Sequence, residues 1–394
     1  MNEIQKDYFQ ARWPARLDPD NFTTSECLTD LVKKILCFIS CPLHAIGTFF
    51  FHPACFSYSE KRISSLRESL KNIESEQFLS PSGQLLDGMF FPGKKNPDKV
   101  ILFRTGNNFL YEHEGSLEKI AFLLKTGASV FTYNPSGTGR SEGWSSSPFS
   151  LALDCFSAFD FLTSSKEENG KGIAPENVLF YGMSLGGAEI TLGAGLVHEE
   201  HPELHLPVMS DRSFISMTKC MTSLLCHDNS ILNRTWKNCF NEILYSLEGL
   251  DISRFIQAII FILIIKPISL IGSESFYHFL LTLLNWDIDV EEIMKQLPGE
   301  KIIIFHPRDG VIFPSAQVAS LFDENNPQEG VTLIKLEEKK SKKAKSNNPN
   351  TSFHGRQFYE NEKDQILNLI RKNLKIDTAT APDLDPDRLN VVTV

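Results

Sequence analysis

From residue 76 onward, short apolar runs alternate with longer stretches of helical period. "EQFLS", "PSG" and "QLLDGMFF" read as a hairpin turning at Pro81–Gly83. "KVILFR" at 99–104 is a third strand and "SVFTYN" at 129–134 a fourth. Between them, "SLEKIAFLLKTG" at 116–127 has apolar residues at helical spacing and ends on a glycine, a usual helix stop. "SLALDCFSAFDFL" at 150–162 is a second helix, "NVLFYG" at 177–182 a fifth strand, and "SLGGAEITLGAGLV" the helix after it. "HLPVMS" at 205–210, "KIIIFH" at 301–306 and "VTLIKLE" at 331–337 complete eight strands. An amphipathic helix, "YENEKDQILNLIRKNL" at 359–374, closes the series. Strand–helix alternation implies crossover connections. The expected class is therefore α/β: an eight-stranded, mainly parallel sheet with helices on both faces and an antiparallel hairpin at one edge.

Three segments break this rhythm. Residues 215–299 are mostly of helical pattern and fall between strands six and seven, as a cap insertion would. They divide the body into 76–214 and 300–374. Residues 1–75 form an N-terminal appendage, and 375–394 lack an apolar period, as a loose tail does. Within the appendage, Ile35–Phe56 carries no formal charge and matches the roughly 20 residues of a bilayer crossing. Pro42, Gly47 and Pro53 interrupt any straight helix there. The run is a candidate for contact with a membrane surface; packing onto the body is the alternative. A second run, "FIQAIIFILII" at 255–265, is too short to span. It would line an acyl pocket or form the cap's own core.

Composition narrows the partners. A net charge of −10 disfavours a nucleic-acid partner, whose binding rests on phosphate neutralisation. The basic run "KKSKKAK" at 339–345 sits between "EE" and "SNNPN" and reads as a solvated loop. The 30 phenylalanines imply a bulky core or an apolar surface for lipid or a partner. Eight cysteines, at 27, 37, 41, 55, 155, 220, 226 and 239, form no CxxC pair. Cys37, Cys41 and His44 lack a fourth zinc ligand at a usual spacing, so buried free thiols in a reducing compartment are expected, with no metal. The N-terminus lacks the basic start and apolar middle of a cleavable signal peptide.

The candidate chemistry centres on "FYGMSLGGAEI" at 180–190. An apolar strand leads into the G-x-S-x-G and a small-residue helix leads out, the setting of a nucleophile elbow with Ser184 at its tip. Gly182 and Gly186 avoid a clash as the helix folds back on the strand. A serine hydroxyl needs a base, and the base an orienting acid, in the chain order Ser, acid, His for such an elbow. Asp309 follows strand seven in "HPRDGVIFP", and His354 follows strand eight in "NTSFHGRQF". Asp211, after strand six, is the alternative acid. His306, expected within strand seven, and His278, in the cap, are the rival bases. An oxyanion hole would use the backbone N–H groups of Leu185 and of Asn107, the latter in "RTGNNFLYE" after Gly106.

Residues 76–374 resemble the α/β-hydrolase superfamily, on "YNPSGTGRSEGWSSSPFSLALDCFSAFDFL" at 133–162 and "NWDIDVEEIMKQLPGEKIIIFHPRDGVIFP" at 285–314. "SDRSF" at 210–214 and the aromatic N-terminal segment are similar to the chlamydial CHLPS-type hydrolases. The resemblance implies an α/β-hydrolase fold, Ser184, Asp309 and His354 as the triad, and a bacterial protein that is cytoplasmic or membrane-associated. Thr105 stands where many relatives have histidine, and Pro307 where a glycine is common. The expected activity is a serine hydrolase acting on an ester or thioester, an acyl lipid included, with a small acyl molecule as partner and no cofactor. A non-catalytic scaffold on the same fold, or an acyltransferase or peptidase, is the alternative. No sequence signal sets the oligomeric state.

Overall fold

The computed structural model describes residues 60–226, 274–337 and 352–377, apart from a few single positions. Eight strands make one sheet: β1 Ser75–Leu79, β2 Leu85–Phe91, β3 Asn96–Arg104, β4 Ala128–Asn134, β5 Val178–Met183, β6 Val208–Asp211, β7 Lys301–Phe305 and β8 Val331–Lys335. Their order is β1-β2-β4-β3-β5-β6-β7-β8. β1 and β2 pair antiparallel, β2 runs antiparallel to β4, and the remaining neighbours are parallel. The β1–β2 hairpin closes through Ser80 N–H to Gln84 O (2.8 Å) and Gly83 N–H to Ser80 O (2.8 Å). Gly83 takes a φ of 77°, which glycine adopts without steric penalty.

The central strands are apolar throughout because both of their faces are covered. All seven residues of β4 and all five of β7 are buried. Alternate side chains feed two apolar layers. Val100, Leu102, Phe180 and Val208 join the layer with helices Pro148–Thr163 and Leu185–Glu200. Ile101, Phe103, Leu179 and Met209 join the layer with helices Glu114–Leu124 and Glu360–Asn373. The first helix of the former layer starts cleanly: Ser147 and Ser150 form a reciprocal capping box, and Pro148 opens the helix.

The order of the strands sets where a site can form. β4 flanks β3 on one side and β5 on the other. The helices that follow β3 and β5 lie on opposite faces of the sheet. The chain therefore diverges at the carboxyl ends of β3 and β5 and leaves a crevice there. This sheet order, with helices on both faces and one antiparallel edge, is the α/β-hydrolase fold.

Among the strand limits that differ from the expected ones, those of β6 and β7 bear on the site. β6 runs from Val208 to Asp211 rather than 205–210, so Asp211 is its last residue instead of following it. Pro207 has no N–H for the ladder and only accepts, from Phe180 N–H at 3.0 Å. β7 stops at Phe305, so His306 lies just past the strand, where its carbonyl accepts from Asp309 N–H (3.1 Å) and starts the acid turn.

The two ends of segment 215–299 are bonded to each other, and Ile215 N–H also bonds Ala316 O, outside that segment, at 2.8 Å. Val290 N–H bonds Ile215 O and Met217 N–H bonds Ile288 O, each at 2.8 Å. Trp286 is fully buried, in the same apolar layer as Met217, Ile288 and the helix Leu185–Glu200. The runs 35–56, 255–265 and 339–345 lie outside the described residues, as does all but the start of the 375–394 segment. Among the described residues no helix is long and apolar enough to cross a membrane. Cys155 and Cys220 are free thiols, and burial pushes both up, Cys220 to about 12.

Candidate active site

β5 ends at Met183 and the next helix begins at Leu185, so Ser184 alone makes the turn between them. Its φ of 54° and ψ of −124° are strained for a residue with a Cβ, at a cost of about 1–3 kcal/mol. Two bonds, one to the last residue of β6 and one from just beyond it, hold it there. Ser184 N–H donates to Asp211 O (2.9 Å), and Ser213 Oγ donates to Ser184 O (2.7 Å). The helix presses tightly on its surroundings. A Cβ at Gly182 would lie 2.2 Å from Gly186 O, and one at Gly186 would lie 2.2 Å from Thr105 O. The first contact is the helix–strand clash expected from the motif; the second is with the β3 loop. Gly182→Ala is expected to cost about 1–3 kcal/mol by overpacking, read as a lower denaturation midpoint. An unchanged midpoint would show that the elbow relaxes freely.

Ser184, Asp309 and His354 meet at this turn. His354 Nε2 is 3.0 Å from Ser184 Oγ, and His354 Nδ1 is 2.7 Å from Asp309 Oδ2. The partners assign the tautomer: Nδ1–H donates to the carboxylate, which leaves Nε2 to accept from the serine hydroxyl. Asp309 is only 2% exposed. Its other oxygen, Oδ1, accepts from Val311 N–H (2.9 Å) and Ile312 N–H (3.0 Å). Those two bonds fix the carboxylate plane and turn Oδ2 toward the imidazole. His354 sits within a single helical turn, Ser352–Gly355, rather than on an irregular loop.

The oxyanion candidates flank Ser184 differently. Leu185 is the first residue of its helix, so its N–H has no acceptor within the helix and lies at the positive end of the dipole. Gly106 abuts the serine: a Cβ there would be 3.4 Å from Ser184 Cβ. Asn107, the exposed residue after it, thus follows directly from the wall of the site. Thr105, just before Gly106, is turned toward the helix Glu114–Leu124. It is buried and accepts from Ser116 Oγ at 3.0 Å.

The alternative side chains are engaged with other groups. Asp211 is fully buried and is bonded by Arg212 Nε (2.7 Å), Lys119 Nζ (3.1 Å) and Tyr181 OH (2.9 Å). Burial alone would raise its carboxyl, yet the charges of Arg212 and Lys119 hold it well below the usual carboxylate range. His306 stacks on Phe353 at 4.1 Å, and its Nδ1 accepts from Arg308 N–H. His278 Nδ1 pairs with Asp287 Oδ2 at 2.6 Å. Among the described residues, no three His, Cys, Asp or Glu side chains gather as a metal site.

A buried ion pair under the elbow escaped the sequence reading. Arg104, at the end of β3, donates through Nε to Glu189 Oε1 (2.8 Å) on the elbow helix and through Nη1 to Tyr133 O (3.0 Å). Tyr133 OH donates to the same Glu189 oxygen at 2.6 Å. The signal was one charge closing the apolar run "ILFR" and one inside "LGGAEIT". A cavity of about 240 Å³, lined by Phe149, Leu153, Phe156 and Leu196, is separate from this site. Leu196 lies 12 residues along the helix from Ser184, some 18 Å at 1.5 Å per residue.

Fold and site together define a protein of the α/β-hydrolase fold carrying a Ser–His–Asp chain of hydrogen bonds. No family model matches the sequence. Over 167 residues, 40% of this chain, it is 30% identical to a multifunctional-autoprocessing repeats-in-toxin of Vibrio vulnificus. Over 125 residues, 32% of the chain, it is 30% identical to the corresponding toxin of Vibrio cholerae. The matched stretch is 3% of the length of each of these relatives. Similar solved structures include an esterase of Pyrococcus furiosus, 14% identical with a TM-score of 0.48, covering 78% of this chain and 95% of that one. An α/β-hydrolase of Vibrio vulnificus is 20% identical with a TM-score of 0.47, covering 81% and 90%.

Proposed function

We propose that this chain is a serine hydrolase that cleaves an ester or thioester through an acyl-serine intermediate. The observation that carries the reading is the unbroken relay from Ser184 Oγ through His354 Nε2 (3.0 Å) and His354 Nδ1 to Asp309 Oδ2 (2.7 Å). His354 Nε2 takes the hydroxyl proton as Ser184 Oγ attacks the carbonyl carbon. The carbonyl oxygen becomes an oxyanion, stabilised by the N–H groups of Leu185 and Asn107. The carbonyl re-forms, the bond to the leaving group breaks, and His354 returns the proton to the departing alcohol or thiol. Water then attacks the acyl-serine, losing its proton to His354, and Ser184 is released with the acid product. Asp309 keeps the imidazole in the tautomer both half-reactions need. The likeness of "SDRSF" to the CHLPS-type hydrolases belongs to the same proposal.

The test is labelling of the wild-type chain by a fluorophosphonate, with the site read by peptide mass spectrometry, followed by a panel of acyl esters of increasing length. Labelling at Ser184 with hydrolysis of at least short esters is the expected result. A chain that is folded yet neither labels nor hydrolyses is a scaffold on the hydrolase fold. Acyl transfer to an added amine or alcohol in preference to water would instead identify an acyltransferase.

A further inference from the structure

Both the nucleophile and the base's turn are held by three consecutive residues at the end of β6. Asp211 and Ser213 grip the Ser184 backbone, through the bonds at 2.9 and 2.7 Å described above. Arg212 reaches the other way. Its Nη1 donates to Arg356 O (2.9 Å) and Phe353 O (3.4 Å), carbonyls on either side of His354. Its opposite edge is locked: Nε and Nη2 donate to the two oxygens of Asp211 at 2.7 and 3.1 Å. Phe358 lies against the guanidinium at 5.1 Å. Arg212 is 1% exposed and holds a φ of 48°, while its N–H is tied to Ile304 O of β7 at 2.7 Å.

We infer that Arg212 is a positioning residue, which through its grip on the turn Ser352–Gly355 sets the distance from His354 to Ser184. The inference rests on the serine-hydrolase reading. A four-residue helical turn cannot hold itself, since helix formation needs many more residues before it becomes favourable. The turn must be fixed from outside, and Arg212 Nη1 donates to one carbonyl within it, Phe353 O, and to the one just after it, Arg356 O. A lysine could not do the same, because an ammonium lacks the planar fork that engages a carboxylate with one edge and carbonyls with the other. The arrangement is also costly as a stability device. Each buried ion loses its hydration, a loss that an apolar replacement would avoid. The left-handed backbone at Arg212 adds strain to that cost. Positioning of the base gives this expense a use that packing alone does not.

The test compares wild type with R212K and with the triple variant K119Q/D211N/R212Q, which removes all three charges of the buried cluster and leaves none unpaired. Fold is checked by near-ultraviolet circular dichroism, and reactivity by the fluorophosphonate labelling rate and by ester kinetics. In either variant that folds, labelling rate and kcat should fall on the order of a hundredfold, the loss expected from a misplaced catalytic group, while KM stays put. A purely structural role would lower the melting temperature and leave the kcat of the folded protein unchanged. Wild-type labelling rates in the folded variants, or a loss confined to KM, overturn the inference while the hydrolase reading stands. A wild-type chain that does not label at Ser184 overturns both.

Discussion

Ser184→Ala is expected to abolish fluorophosphonate labelling and to lower ester turnover about a million-fold, close to 8 kcal/mol of transition-state stabilisation. The residual rate would come from the oxyanion donors and from substrate binding, neither of which needs the hydroxyl. His354→Ala should lose nearly as much, because the two side chains act as one unit and removing either disables the other. The double variant should therefore be no slower than the worse single one. Multiplying losses in the double variant would mean that Ser184 and His354 act independently, and the 3.0 Å contact would not be a proton path. Neither change should unfold the protein. Ser184 makes its holding bonds through backbone atoms, and the His354 side chain is partly exposed.

The two acids should separate just as sharply. Asp309→Asn is expected to cost about ten-thousand-fold in turnover by favouring the wrong imidazole tautomer, with little loss of stability. The amide oxygen can still accept from Val311 and Ile312 N–H, but the amide nitrogen offers His354 Nδ1 a donor where it needs an acceptor. Asp211→Asn acts in the opposite way. It leaves Arg212 and Lys119 buried with no anion between them, so a loss of about 3–5 kcal/mol of stability is expected. Its turnover should fall only as far as Arg212 releases the His354 turn, about a hundredfold. Parallel denaturation curves and kinetics on both variants check this. Turnover lost more completely in Asp211→Asn than in Asp309→Asn would move the catalytic carboxylate to β6.

What was legible in the sequence was whatever local periodicity or a contiguous motif encodes. The apolar runs gave the eight strands because central strands covered on both faces must be apolar along their whole length, as β4 and β7 are. Gly182 and Gly186 marked the elbow on either side of Ser184, since a Cβ at either glycine would lie 2.2 Å from a backbone oxygen. Chain order and strand ends picked out Asp309 and His354 as candidates, but 45 residues separate them, and 170 separate His354 from Ser184. Their meeting is a property of strand order, which brings β5, β6, β7 and β8 side by side with their loops at one end. Strand limits were less legible. Pro207 and the pairing of Asp211 with Met183 set where β6 begins and ends, and pairing depends on the neighbouring strand.

The charged residues divide along the same line. Nothing in "SDRSF" alone distinguishes a free acid from one already claimed, so Asp211 stood as a rival to Asp309. Only the fold brings Lys119, from 92 residues away, and the Arg212 guanidinium onto that carboxylate, and places Asp309 rather than Asp211 beside His354. Likewise, only the fold joins Arg104 to Glu189 and aims Arg212 at the carbonyls beside His354. The sequence by itself determined the elements and the elbow at Ser184, because helical period, strand period and steric need for glycine act over a few neighbouring residues. The tertiary structure decided which carboxylate serves the histidine and what holds that histidine in place, because charge pairing and hydrogen bonding act through space and are indifferent to separation along the chain.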